Sequence, residues 1–181
     1  MTTTLGVDTE LGRDRIKAQT QVFNRIARAS QATSVYEIPT KTSRVYGLIY
    51  INDTLYVVEI KTRNSKITQS QHANGKKQIQ VFDRSGSTDN YNYIERSEYM
   101  ISESKITQGQ QCAGLLSAKF FVFVYALHSD TIAFFDATNF RVGKDYQTKR
   151  VTTRQPYTQG QETDVMAMLP LSKMKLLKEN Q

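Results

Sequence analysis

The chain has 181 residues and carries 24 Lys and Arg against 17 Asp and Glu, a formal net charge of +7. This length predicts a single domain that buries its core without disulfides, and the positive excess favours a polyanionic partner. One cysteine, Cys112, and two histidines exclude cysteine-rich zinc sites and multi-histidine metal sites. Residues 120–127, the longest apolar run, are too few to span a membrane, and no N-terminal stretch is typical of a signal peptide. We therefore expect an intracellular, cytoplasmic protein without a membrane partner.

The first third of the chain predicts a helix followed by three strands. Between residues 10 and 29 apolar side chains recur at steps of three and four, which indicates an amphipathic helix. Residues 34–38 are β-prone and precede Pro39, so a short strand is expected there. The run RVYGLIYINDTLYVVEIKTRN, residues 44–64, breaks once, at Asn52 and Asp53. Both residue types tolerate the positive φ of a tight turn, so we expect a hairpin of strands 44–51 and 54–62.

The rest of the chain alternates polar segments with apolar ones. Residues 65–98 predict a helix or irregular segment and then a loop, and residues 104–118 predict a second helix. The near-identical strings SKITQSQ (65–71) and SKITQGQ (104–110) are interpreted as two similar helix starts. Residues 120–127 and 131–137 predict another hairpin, and residues 140–181 a basic extension with a strand at 165–169. Together these elements predict a single α/β domain, with a mixed sheet covered by helices on both faces.

The second strand of the first hairpin ends in an acid and a lysine with one residue between them. Because side chains alternate along a strand, Glu59 and Lys61 are expected on one face and Ile60 on the other. The Glu59 carboxylate and the Ile60 backbone carbonyl are oxygen ligands suited to Mg²⁺ or Mn²⁺. Lys61 is then placed to stabilise developing charge, while the metal lowers the pKa of a bound water. The alternative is a Glu–Lys pair that faces solvent at a strand end.

The segment VYGLIYINDTLYVVEIKTRN resembles the core of the PD-(D/E)XK nuclease superfamily, in which a helix, a strand and a hairpin lead to E-x-K and a further helix. Residues 99–135 are similar to the later helix and strand pair of phage or RecB-like members, so the resemblance covers about residues 10–137. It implies a restriction-endonuclease-like mixed sheet flanked by helices, a DNA substrate, a bacterial or phage-type setting, and the homodimer that many such nucleases form.

The sequence departs from this family at the second metal-binding acid. Pairing across a two-residue turn at 52–53 puts position 46 opposite Glu59 and on the same face, and position 46 is Tyr. Asp53 lies six residues from Glu59, about 20 Å along an extended strand, so it cannot share the metal. With Tyr46 in place of the family Asp, a metal is expected to bind weakly. Glu10 and Asp14, the acids of the first helix, are the alternative source of a ligand.

Positive side chains cluster after the E-x-K strand. Arg63, Lys66, Lys76 and Lys77 are candidate phosphate contacts, and such contacts bind DNA without sequence preference. The alternative is a solvated basic face. Four tyrosines near loops are either base-stacking or packing residues, namely Tyr91, Tyr93, Tyr99 and Tyr157.

Two functions follow from these residues and from the resemblance. The first is a metal-dependent DNA endonuclease, a phosphodiester hydrolase with Glu59 and Lys61 at its centre, impaired by the missing Asp. The second is a catalytically inactive DNA-binding or assembly protein that retains the nuclease fold. A third class, an RNA-binding module, lacks its usual aromatic motif in this sequence.

Overall fold

The computed structural model describes residues 10–38, 45–71, 75–86, 91–154 and 161–179, and the side chains of α1 from residue 17 onward. Its centre is a mixed six-stranded sheet in the spatial order β1-β2-β3-β8-β9-β12. These strands are β1 (Ser34–Glu37), β2 (Gly47–Ile51), β3 (Thr54–Arg63), β8 (Lys119–Ala126), β9 (Thr131–Asp136) and β12 (Lys175–Leu176). Strands β3 and β8 run parallel, and every other neighbouring pair is antiparallel. The predicted mixed α/β class is confirmed.

One helix covers each face of the central sheet. The helix α1 (Glu10–Ala29) buries Val22, Phe23 and Ile26 against one face. The helix α2 (Glu103–Leu115) buries Ile106 and Ala113 in the larger core on the other face. No helix of the described residues is long and apolar enough to cross a membrane.

Two small antiparallel sheets join the α2 side. Strands β4 (Ser65–Gln71), β5 (Lys77–Gly86) and β6 (Tyr91–Arg96) form a meander. Strands β7 (Glu98–Ser102), β11 (Gln161–Pro170) and β10 (Gln147–Arg154) form the third sheet, in the order β10-β11-β7. Apolar residues of both small sheets enter the larger core, among them Ile67, Val81, Ile101 and Leu169.

One sequence-based prediction is wrong and another is incomplete. Residues 65–98 are not a helix followed by a loop, because β4 to β6 pair in register and bury Ile67, Ile79 and Val81. In the basic extension after residue 140, the strand predicted at 165–169 lies within β11, but β10 and β12 were not predicted. Strand β11 pairs with β7, β12 closes the central sheet beside β9, and a 3₁₀ turn (Leu171–Lys173) lies between them.

Candidate functional site

The hairpin that carries the candidate site has the predicted register. Ile51 pairs with Thr54 and Tyr50 with Leu55. Asn52 and Asp53 have φ values of 45° and 60°, as a two-residue turn that matches the strand twist requires. This register carries β3 through the core until it ends at Arg63.

Glu59 is a buried carboxylate held by two lysines. It is 5% exposed, and its Oε1 lies 2.7 Å from the Nζ of Lys61, so the two side chains share one face as predicted. The Nζ of Lys105, in the first turn of α2, lies 3.7 Å from the same oxygen. Both lysines remain partly exposed, so solvent reaches the outer side of the cluster. Two cations on one anion leave this cluster with a net charge of +1.

Tyr46 does not lie across from Glu59. Its backbone N–H donates to the carbonyl of Val58, although Val58 already pairs with Gly47. Two residues of one chain therefore oppose a single residue of β3, which is a β-bulge. The bulge turns Tyr46 to the α1 side, where its ring lies edge-on to Phe23 with centroids 5.4 Å apart. The predicted Tyr46–Glu59 pair on one face is wrong for this reason.

The tyrosine has its own polar partners on the α1 side. The Tyr46 hydroxyl donates to Oε1 of Glu37 at 2.5 Å, and Thr20 donates to the same oxygen at 2.7 Å. Burial, and then the neighbouring Glu37 carboxylate, raise the pKa of Tyr46 well above its ordinary value. Glu37 lies on β1, two strands from β3 and thus about 10 Å away across the sheet. It therefore supplies no second carboxylate beside Glu59.

The described residues do not fit a magnesium or manganese ion at Glu59. Such ions bind through carboxylates together with water and phosphate oxygens, and two ammonium groups already contact this carboxylate. The Ile60 carbonyl, the other expected ligand, accepts a 3.5 Å hydrogen bond from Nε2 of Gln19 on α1. No group of three His, Cys, Asp or Glu side chains that could hold a metal occurs among the described residues. The described side chains do not include those of Glu10 and Asp14.

Arg63 lies between two open clefts of about 490 Å³ each. The first runs along α1 beside Lys61, and the second lies between the two small sheets. The Arg63 guanidinium lies 5.8 Å from the centroid of Tyr99, which is a core residue rather than an exposed stacking residue. Burial raises the pKa of the Tyr99 phenol, and the Arg63 charge opposes that shift. Its hydroxyl has no hydrogen-bond partner among the described residues.

The other predicted phosphate contacts are spread along the first small sheet. Lys66 is exposed one residue into β4, close to Arg63 in the chain. Lys76 and Lys77 are also exposed, but they lie at the far end of this sheet. Lys77 pairs with Gln71, which is about 20 Å along β4 from the start of that strand. Lys66 therefore lies at the end of the small sheet that follows Arg63, and the lysine pair lies at the opposite end. Tyr157, the fourth candidate stacking residue, lies outside the described residues.

Sequence reasoning missed Lys105. A cation in the first turn of a helix is electrostatically unfavourable, because the unpaired N–H groups there carry positive charge. In the structure the Glu59 carboxylate, 3.7 Å from the Lys105 Nζ, offsets this charge. Nothing in the sequence indicates that Gln19 of α1 reaches the Ile60 carbonyl.

No protein-family model, curated protein or solved structure matches this chain.

Proposed function

We propose that this protein binds DNA through the Glu59–Lys61–Lys105 cluster, on a restriction-endonuclease-like core that does not cleave its ligand. The observation that carries the proposal is the convergence of two lysines on the one carboxylate of the site. With Arg63 beside them, the basic groups outnumber the acid three to one. Each lysine keeps N–H groups that can donate hydrogen bonds to a phosphate oxygen.

The arrangement of the core supports the nuclease-like part of the proposal. The helix α1 and the short strand β1 precede a hairpin, and the second strand of that hairpin, β3, carries E-x-K. This is the order that the resemblance implies. The next strand of the central sheet is parallel to it, and one helix covers each face. The chain departs from that pattern after Arg63, where four strands precede the second helix.

The second candidate function is metal-dependent cleavage of DNA. It is favoured by the shared face of Glu59 and Lys61. It requires a further acid whose side chain is not among those described, and Glu10 and Asp14 of α1 are the candidates. The two functions make opposite claims about Glu59. In the metal-dependent nuclease Glu59 is a metal ligand, so its loss abolishes cleavage. In the DNA-binding protein Glu59 partly neutralises the phosphate-binding lysines, so its loss strengthens binding.

Binding measured in EDTA over a range of salt concentrations separates the two candidates. Lys61→Gln is expected to weaken binding to a DNA duplex and to lower the slope of log K against log salt by about 1. Glu59→Gln is expected to tighten binding, because it leaves both lysine charges unopposed. The matched control is Lys119→Gln, an exposed lysine at the other end of β8 that pairs with Tyr56. It is expected to leave the slope unchanged.

Plasmid incubated with Mg²⁺ or Mn²⁺ completes the test. We expect no nicking by the wild-type protein. Nicking that Glu59→Gln abolishes would establish the second candidate and overturn the proposal. Equal effects of Lys61→Gln and Lys119→Gln on binding would also overturn it, provided that thermal unfolding shows both variants to be folded.

A further inference from the structure

Two exposed tyrosines lie on the outward side of the β4-β5-β6 sheet. Tyr91 and Tyr93 of β6 are 44% and 41% exposed, in contrast to the buried Tyr46 and Tyr99. With Arg84 of β5 and His128 of the turn between β8 and β9, they form a cluster that we call the tyrosine face. None of these residues belongs to the Glu59 cluster.

The tyrosine face is ordered by contacts among its own members. Tyr91 and Tyr93 meet edge to face with centroids 5.7 Å apart, and the Arg84 guanidinium lies 4.0 Å from the centroid of Tyr91. A 2.8 Å hydrogen bond joins the Tyr93 hydroxyl to Nδ1 of His128. These contacts hold the rings in place while both remain open to solvent, so little side-chain entropy is lost when a ligand stacks on them.

Strand register places basic side chains on the same surface. Arg84 pairs with Tyr93, and Lys66 pairs with Phe82, two residues before Arg84. Because residues paired across strands share a face and alternate along each strand, Lys66 and Arg84 lie on the outward side with the tyrosines. The opposite side buries Ile67 and Val81 in the core.

The charge of this small sheet suits a polyanion. Its described residues, 65–71, 75–86 and 91–96, include five Lys and Arg but only two Asp and Glu. Aromatic rings together with basic side chains on an open sheet are suited to unpaired nucleotides, because every base presents a flat face for stacking. In a duplex those base faces are covered by neighbouring bases, so the rings would have nothing to stack on.

We propose that the tyrosine face binds an unpaired stretch of DNA, with bases stacked on Tyr91 and Tyr93 and phosphates contacted by Lys66 and Arg84. The inference depends on the proposed function and names its ligand class more closely. The connection is short, since only Asn64 separates β3 from β4. A strand bound at Lys61 can therefore continue directly onto the small sheet.

The test compares a short oligothymidylate with a duplex of equal length, in EDTA, by fluorescence anisotropy. Tyr91→Leu is expected to raise the Kd for the oligothymidylate by about 5- to 150-fold, the usual value of one stacked base, and to leave the duplex Kd unchanged. Tyr91→Phe keeps the ring and is expected to bind as the wild type does. The matched control is Tyr36→Leu, an exposed tyrosine on the edge strand β1.

The outcomes separate this inference from the proposed function. If Lys61→Gln weakens binding of both ligands while Tyr91→Leu changes neither, the tyrosine face is not a DNA site and the proposed function stands. If Tyr91→Leu weakens oligothymidylate binding while Lys61→Gln has no effect, the face is a site and the proposed function fails. Equal effects of Tyr91→Leu and Tyr36→Leu, or equal losses with Tyr91→Phe and Tyr91→Leu, would overturn the stacking role. If neither ligand binds, both proposals fail.

Discussion

The packing of α2 against the central sheet depends on the absence of a side chain at Gly109. A Cβ at this position would lie 2.1 Å from Cζ of Phe120 and 2.2 Å from its Cε2. Phe120 is fully buried at the start of β8, so its ring can move only by displacing other core side chains. Gly109→Ala must therefore push the helix away from the strand. Lys105, one turn earlier on the same side of α2, would move away from Glu59 with it.

The size of the effect follows from two opposing terms. Carbon atoms in contact normally lie 3.5–4.0 Å apart, so the helix or the ring must shift by more than 1 Å, and overpacking a core usually costs about 1–3 kcal/mol. Alanine regains up to about 1 kcal/mol of helix propensity. We expect a net loss of about 1 kcal/mol in the free energy of unfolding, which for a chain of this length lowers Tm by roughly 2–4 °C.

Gly114 provides the matched control in the same helix. A Cβ there meets nothing within 4 Å, and the residue is exposed. Gly114→Ala is therefore expected to raise the free energy of unfolding by up to about 1 kcal/mol, the difference in helix propensity, and so to raise Tm slightly. Thermal unfolding followed by circular dichroism measures both variants. If both shift Tm in the same direction, or if adding Phe120→Leu fails to recover part of the Gly109→Ala loss, the close-packing argument is refuted.

Two further predictions concern other parts of the fold. Tyr46→Asp is expected to lower Tm by several degrees and to create no cleavage of plasmid with Mg²⁺, because the bulge buries position 46 on the α1 side; nicking by this variant would show that position 46 reaches Glu59. Arg25 forms 2.6 Å ion pairs with Asp130 and Glu179. The hydrogen bond from Tyr125 and then Arg25 lower the pKa of Asp130, and Arg25 lowers that of Glu179. Because the folded values lie below the ordinary 3.8 and 4.5, this stability is complete above pH 4.5 and lost as the pH falls further. Arg25→Ala should therefore cost about 1 kcal/mol at neutral pH, an exposed-pair value, and less at pH 3 by urea unfolding; a deficit independent of pH would contradict this assignment.

The hairpin and the position of Glu59 were predictable because their signals are local. Two residues that tolerate positive φ mark the turn, and the alternation of β3 then puts Glu59 and Lys61 on one face. The bulge before β2 gave no comparable signal, because it depends on how Gly47 packs. A Cβ there would lie 2.7 Å from Cζ of Phe23. One inserted residue was enough to move Tyr46 to the other side of the sheet.

The two SKITQ strings show why the middle of the chain was mispredicted. Residues 65–69 are in the strand β4 and residues 104–108 in the helix α2, although the five letters are identical. Each copy buries its isoleucine, Ile67 or Ile106, in the larger core. The difference comes from the partners: β5 pairs along the whole first copy, and β8 packs on the second. Tertiary pairing outweighed the local helical pattern in the first copy, whereas the second copy is the helix that its pattern predicts.

The junction at Asn64 has a mechanical consequence. On one side of it the amide of Leu127 donates to the Arg63 carbonyl, and on the other the amide of His128 donates to the Ser65 carbonyl, both at 3.0 Å. These two hydrogen bonds hold the junction against the turn between β8 and β9. We therefore expect β3 and β4 to move together rather than to bend relative to each other at Asn64. Tension applied to the meander would be transmitted to the end of β3 that carries Glu59 and Lys61. Slow hydrogen exchange at the amides of Leu127 and His128 would show that both hydrogen bonds persist.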